Sequence, residues 1–313
     1  MIRRILGETI ARTGAPFLFA FGGDAARLDG ILVDFSKGIG CGLEGVSGED
    51  LQTFERAIVW NRRSFFREGY AFALAALAAL RGRGNAEARN RGIEPFRLMH
   101  YTGYGFWNGC AETLPLPVLT ENAADWTDVE DYPLFYPFYV GGRSFGRLVR
   151  AKAVTAELIR SFEKEATPAL VQAAWHGAGR ALWFRAPGQP EKLVEMLNVY
   201  GPAVQPMLIG LGFAMTYTQI ATPDNALQSL RSMPQEMQHD LHVGGGVALA
   251  ALIHEMTTEE ARIHSLYGAT ELGPHLADAL EAERITPRDA DWYAAFNANM
   301  AQRPGRVAHH AAS

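Results

Sequence analysis

Apolar residues along this chain fall at spacings that suit helices. The segment from Pro234 to Met256 carries Met237, Leu241, Val247 and Leu252, and it lacks the period-two alternation that a strand needs. Short apolar-periodic stretches precede such segments. Leu193-Val194-Glu195-Met196-Leu197 and Leu227-Gln228-Ser229-Leu230 begin seventeen residues before Gly210 and Gly244. Pro202 and Pro234 mark the breaks that follow, and proline favours the first turn of a helix. The pattern predicts short and long helices in alternation.

A second pattern lies on the long helices. Small residues recur at i, i+2 and i+4, most clearly as Gly177-x-Gly179-x-Ala181, Gly210-x-Gly212-x-Ala214 and Gly244-x-Gly246-x-Ala248. Gly38-x-Gly40-x-Gly42 has the same form, and Gly69-x-Ala71, Gly103-x-Gly105 and Gly142-x-Ser144-x-Gly146 are degenerate copies. The copies are 29 to 39 residues apart, the length of a helix–turn–helix unit. Glycine inside a helix costs about 1 kcal/mol relative to alanine, so its recurrence calls for a packing reason. Positions i and i+4 share one helix face and i+2 lies nearly opposite. Small residues on both faces let a helix sit close between two neighbours. The expected fold is therefore all-α, a helical-repeat solenoid of about seven helix pairs. An open arc and a ring closed toward an α/α toroid both fit. The large residues at i+3, namely Tyr70, Phe106, Phe145, Arg180 and Phe213, are expected in the core or lining a concave surface.

The 313 residues are read as one domain: repeats from about 25 to 255, capping helices over 256–300 and a flexible tail over 301–313. No Pro/Gly/Ser-rich linker divides them. A net charge of −5 and only short basic clusters argue against a nucleic-acid partner. Cys41 and Cys110 do not make a disulfide framework. Neither a signal peptide nor a run of eighteen uncharged apolar residues occurs, so a cytoplasmic protein with no membrane span is expected.

The repeat absorbs most of the familiar motifs. Gly142-Arg143-Ser144-Phe145-Gly146 matches the nucleophile elbow of serine hydrolases, but Ser144 fills a slot that other copies give to glycine or alanine. Gly40-Cys41-Gly42-Leu43-Glu44-Gly45, after the strand-like Ile31 to Phe35, matches a dinucleotide fingerprint without the acidic residue that should follow. His239 and His242 are three apart, a spacing that can hold a metal on a helix, and His254-Glu255 begins a zinc-protease motif that Thr258 leaves incomplete. No metal or cofactor is expected. His176 and His242 stand immediately before small-residue segments and are better placed than the other histidines to face a groove.

Chemistry is denser between Tyr101 and Tyr139. Tyr101, Tyr104, Phe106 and Trp107 are followed by Asp125, Asp128, Glu130 and Asp131. An acid buried among aromatic side chains has a raised pKa and can serve as a general acid, while aromatic faces stabilise a cationic intermediate. The bland reading is an acidic loop leading into an aromatic core helix.

Several of these stretches resemble a bacterial family, domain of unknown function number 1702, from enediyne-type polyketide biosynthetic clusters. The matching segments are Phe66-Arg67-Glu68-Gly69-Tyr70-Ala71, Tyr101-Thr102-Gly103-Tyr104-Gly105-Phe106, His176 to Phe184 and Asp240 to Ala248. Trp107 stands where the resemblance implies a further histidine. The resemblance implies a role in making or handling a hydrophobic natural product, alongside other biosynthetic proteins. The expected function is action on an apolar, polyene-like intermediate, with acid-assisted cyclisation or isomerisation as the reaction. Asp128 or Asp131 is the expected proton donor, with His176 and His242 as further polar groups. Tyr101, Tyr104, Phe106, Trp107, Phe145, Arg180 and Phe213 are the expected pocket lining. The competing expectation is a non-catalytic scaffold that binds a partner protein.

Overall fold

The computed structural model describes residues 28–81, 96–113, 123–126, 129, 132–151, 155–199, 204–287 and 292–301. Among these residues there are fourteen α-helices and no strand. The long helices are α1 (Asp29–Glu44), α3 (Arg63–Arg81), α4 (Arg97–Glu112), α5 (Tyr132–Arg150), α7 (Pro168–Arg185), α9 (Val204–Thr218), α11 (Gln235–Glu255) and α13 (Leu272–Ile285). Short helices intervene: α2 (Gly48–Arg56), α6 (Ala156–Phe162), α8 (Pro190–Leu197), α10 (Pro223–Arg231) and α12 (Glu260–Tyr267). Helix α14 (Trp292–Ala301) ends the described chain.

Local signals set many of these boundaries. Pro168, Pro190 and Pro223 occupy the first turns of α7, α8 and α10, where a missing N–H costs nothing. The Thr155 and Thr167 hydroxyls accept from Leu158 and Leu170 N–H and cap α6 and α7. Gly45 ends α1 with φ 76°, a left-handed conformation that glycine adopts without a Cβ penalty. Ile31 to Phe35 lie inside α1, so the strand-like reading of that β-branched run is corrected. Tertiary packing of Ile31, Leu32 and Phe35 into the core outweighs local propensity there.

All seven small-residue copies lie on long helices. They produce the helix stack. A methyl group built on Gly177 would lie 1.9 Å from the Gly141 carbonyl oxygen of α5, and one on Gly179 would lie 2.0 Å from the Met207 oxygen of α9. Gly210 faces α7 and Gly212 faces α11 in the same way, at 2.0 Å each. Gly103 meets α3 and Gly105 meets α5. In these copies the first glycine touches the preceding long helix and the second touches the following one. Real Cβ atoms do not approach so closely, so only glycine permits these backbones to meet. Gly40 is the exception, with open space around it. Helix α1 starts the described row and turns Gly38 and Gly42 toward α3 instead.

The register also gives direction. Gly105 meets Tyr139 and Gly109 meets Arg143, a step of four on both helices, so α4 and α5 run parallel. Parallel neighbours require the chain to travel back along a helix of roughly 25 Å, and the short helices serve this return elsewhere in the row. Each long helix packs on the next, from α1 through α13. The row then curls. Phe65 on α3 meets Tyr217 on α9 with ring centroids 5.4 Å apart, and the Met99 N–H of α4 donates to Glu255 of α11 at 2.8 Å. Helix α14 folds back onto α5 and α7. This curl brings residues distant in sequence around one interior cleft.

Candidate functional site

The cleft lies between α5, α7, α9, α11 and α14 and has an empty volume of about 830 Å³, its mouth included. That lies within the usual size range of small-molecule sites. Leu98, Leu134, Phe138, Ile209, Val247, Trp292 and Phe296 give it apolar walls. Its polar groups are few: His176, Arg180, His254, Glu283, Tyr293 and Asn297. His254 and Glu283 bind one another at 2.7 Å. A smaller cavity of about 340 Å³ lies beyond, walled by Phe65, Phe145, Phe184, Phe213 and Tyr217 and containing Glu68. Arg180 and Phe213 line both spaces.

Arg180 is the central group. Its position three residues after Gly177 places it on the interior face of α7. Gly141 leaves room for it, since a methyl there would lie 2.7 Å from Nη2. The guanidinium carbon sits 5.8 Å from the Phe213 ring centroid. Among the described residues no carboxylate pairs with it and no acceptor hydrogen-bonds to it. Burial lowers its pKa, and the Glu68 carboxyl opposes that shift.

Two interacting acids, Glu68 and Glu255, lie at this level, and Glu68 also feels the charge of Arg180. Glu255 accepts from the Met99 N–H at 2.8 Å and from the Tyr217 hydroxyl at 3.1 Å. Burial raises its pKa to about 7, and those donors hold it below a bare buried acid. Glu68 is only 7% exposed and has no such donors among the described residues. Burial raises it to about 8; the attraction of Arg180 acts against the shift and the proximity of Glu255 adds to it. Glu255 therefore takes the negative charge first. Burial favours the uncharged form of Glu68, which lines an aromatic-walled space.

His176 completes the group. Its Nδ1 is hydrogen-bonded to the Tyr293 hydroxyl of α14. Burial and then the charge of Arg180 lower its pKa to about 3, so the ring is neutral. The other ring nitrogen, Nε2, has no partner among the described residues. Beside the cleft, then, lie a guanidinium, a buried carboxyl and an imidazole nitrogen with unused hydrogen-bonding capacity.

The expected site residues separate into three groups. His176, Arg180, Phe145 and Phe213 line these spaces. Tyr101, Tyr104, Phe106 and Trp107 do not, and their expected role as pocket lining is corrected. Tyr101 packs 4.9 Å from Trp126 and 5.3 Å from Phe135, and Tyr104 packs against Trp126 and Tyr139. Phe106 and Trp107 meet Phe72 edge-on at 5.0 and 5.4 Å. These rings form the core between α3, α4 and α5. His242 is also away from the cleft: Nδ1 donates to the Gln238 carbonyl at 2.6 Å and Nε2 lies 3.3 Å from Glu271. Asp128 and Asp131 lie outside the described residues.

Glu68 and Glu255 were present in the quoted motifs but not singled out as site residues. The available signal was a charged residue within otherwise apolar helix. Ser144 is fully buried in the middle of α5, not on a strand-to-helix turn. Among the described residues, no three histidine, cysteine or acidic side chains converge to hold a metal ion. No helix among them is long and apolar enough to cross a membrane.

The family model described as "Protein of unknown function (DUF1702)" matches residues 20–295. No curated protein and no solved structure matches the chain.

Proposed function

The chain belongs to the DUF1702 family, which has no assigned activity, and we propose that it converts an apolar, unsaturated small molecule by acid-assisted isomerisation or cyclisation. The observation that carries this reading is Glu68, a buried carboxyl group in a cavity walled by aromatic rings, where burial raises its pKa. Glu68 takes the proton-donor role that the sequence suggested for Asp128 or Asp131. Its proton passes to an alkene carbon, whose π electrons form the new C–H bond. A cation remains on the chain and a carboxylate on Glu68. The faces of Phe65, Phe145, Phe213 and Tyr217 stabilise that cation. Loss of a proton from a neighbouring carbon, before or after ring closure, returns Glu68 to its acid form. The sequence neither gains nor loses electrons overall.

A partly enclosed apolar cleft with an internal acid supports the enzyme over the scaffold. The large apolar side chains exposed among the described residues, such as Phe54, Leu80 and Val199, are individual positions on different elements. The curled row supports reading the fold as a solenoid closing toward an α/α toroid. The family resemblance supports a cytoplasmic step in enediyne-type polyketide biosynthesis, next to other enzymes of that pathway. The test is to compare the metabolites of a producing strain with those of strains carrying Glu68→Gln or Glu68→Asp. Accumulated precursor with Gln and partial conversion with Asp are expected. Unchanged product from the Gln strain would remove Glu68 from the chemistry.

A further inference from the structure

A guanidinium within a protein is costly unless an anion or good acceptors compensate it. Arg180 is half-buried, and among the described residues no acceptor hydrogen-bonds to it and no carboxylate forms an ion pair with it, Glu68 acting on it only through its charge when ionised. It lines the shared wall of the two spaces. The surrounding architecture keeps it there. Gly141 leaves space for Nη2, and Phe213 offers its ring at 5.8 Å. Nearby is the unpartnered Nε2 of His176, held in place by Tyr293 through the opposite ring nitrogen. We propose that the ligand of this cleft carries a single carboxylate and that Arg180 binds it, with the apolar chain running along Ile209, Val247 and Phe296 toward the mouth.

The charge balance selects this head group. One guanidinium matches the single charge of a carboxylate, for which arginine has a complementary fork. A phosphate monoester carries more negative charge than one guanidinium balances, and Glu283 also lines the cleft. No lysine lines either space. The inference rests on the cleft accepting an apolar molecule, as proposed above. It adds that the ligand is an apolar acid, anchored at its carboxylate end by Arg180.

The test uses the full chain and two fluorescent probes, cis-parinaric acid and its methyl ester, which share one polyene chain. The wild type is expected to bind the acid at least tenfold more tightly than the ester. Arg180→Met should bind both at the wild type's ester affinity, and Arg180→Lys should keep part of the preference. Equal binding of acid and ester by the wild type would overturn the carboxylate assignment while leaving the apolar cleft intact. A tenfold preference retained in Arg180→Met would overturn the role of Arg180. Failure of the wild type to bind either probe would sink the cleft reading itself. The wild-type comparison needs no variant, so a fold defect in Arg180→Met, visible by circular dichroism, leaves the proposal testable.

Discussion

Replacing Gly212 with alanine should destabilise the protein, although alanine is the better helix former. The new methyl would lie 2.0 Å from the Leu241 carbonyl oxygen and 2.7 Å from the Leu241 carbonyl carbon and Cα. Ordinary contact needs roughly 3.4 Å or more, so α9 and α11 must move apart by about 1 Å, and backbone atoms have no rotamer by which to yield. A gap of 0.5–1 Å forfeits roughly a quarter to a half of each dispersion contact along the interface. Overpacking of this kind costs about 1–3 kcal/mol or more, against about 1 kcal/mol gained in propensity. The net loss is expected to be roughly 2 kcal/mol at the upper end of that range, a fall in Tm of a few degrees. Gly40 supplies the control. It is also mid-helix, but nothing lies within 4 Å of its built Cβ. Gly40→Ala should stabilise by about 0.5–1 kcal/mol. Urea unfolding of both variants with an unchanged m-value gives the comparison. Should Gly212→Ala stabilise as much as Gly40→Ala, glycine would not be placed for backbone contact.

Glu68→Gln should change how stability depends on pH. A carboxyl raised from 4.5 to about 8 contributes stability that is complete below its unfolded pKa and disappears as pH rises through 8. The wild type should therefore lose stability relative to Glu68→Gln between pH 5 and 9, by at most roughly 5 kcal/mol at 1.36 kcal/mol per pH unit. Parallel stability curves across that range would count against the buried acid. His176 acts in the opposite sense: its pKa, lowered to about 3, costs stability as pH falls below 6.5. His176→Gln should flatten the acid limb, and an unchanged acid limb would show that the ring is not buried neutral. Ser144, with no exposure and a helical backbone, should resist labelling by a fluorophosphonate probe; a labelled Ser144 would reopen hydrolase chemistry.

The stacking of helices was legible because its cause is local. Glycine at i and i+2 is written in a few adjacent residues, and the clear copies at Gly177, Gly210 and Gly244 meet their neighbours through those positions. His176, Arg180 and Phe213 could be singled out for the same reason, since each stands beside a glycine copy. The identity of the acid was not legible. Glu255 acquires its meaning from the Met99 N–H, 156 residues away, and Glu68 from Arg180 on another helix. Aromatic density between Tyr101 and Tyr139 marked a core, not a lining, because composition does not say which side of a helix faces a void. Tyr293 and Phe296 reach the cleft only because α14 folds back onto α5 and α7.

The proposed chemistry depends most directly on Glu68 being an uncharged acid in the working protein. Carbon-13 carboxyl titration of glutamate-labelled chain, with Glu68→Gln to assign the signal, measures this without any substrate. A Glu68 signal with its midpoint near 8 is the predicted result. A Glu68 signal that titrates at about 4.3, the value of a solvated glutamate, would contradict it.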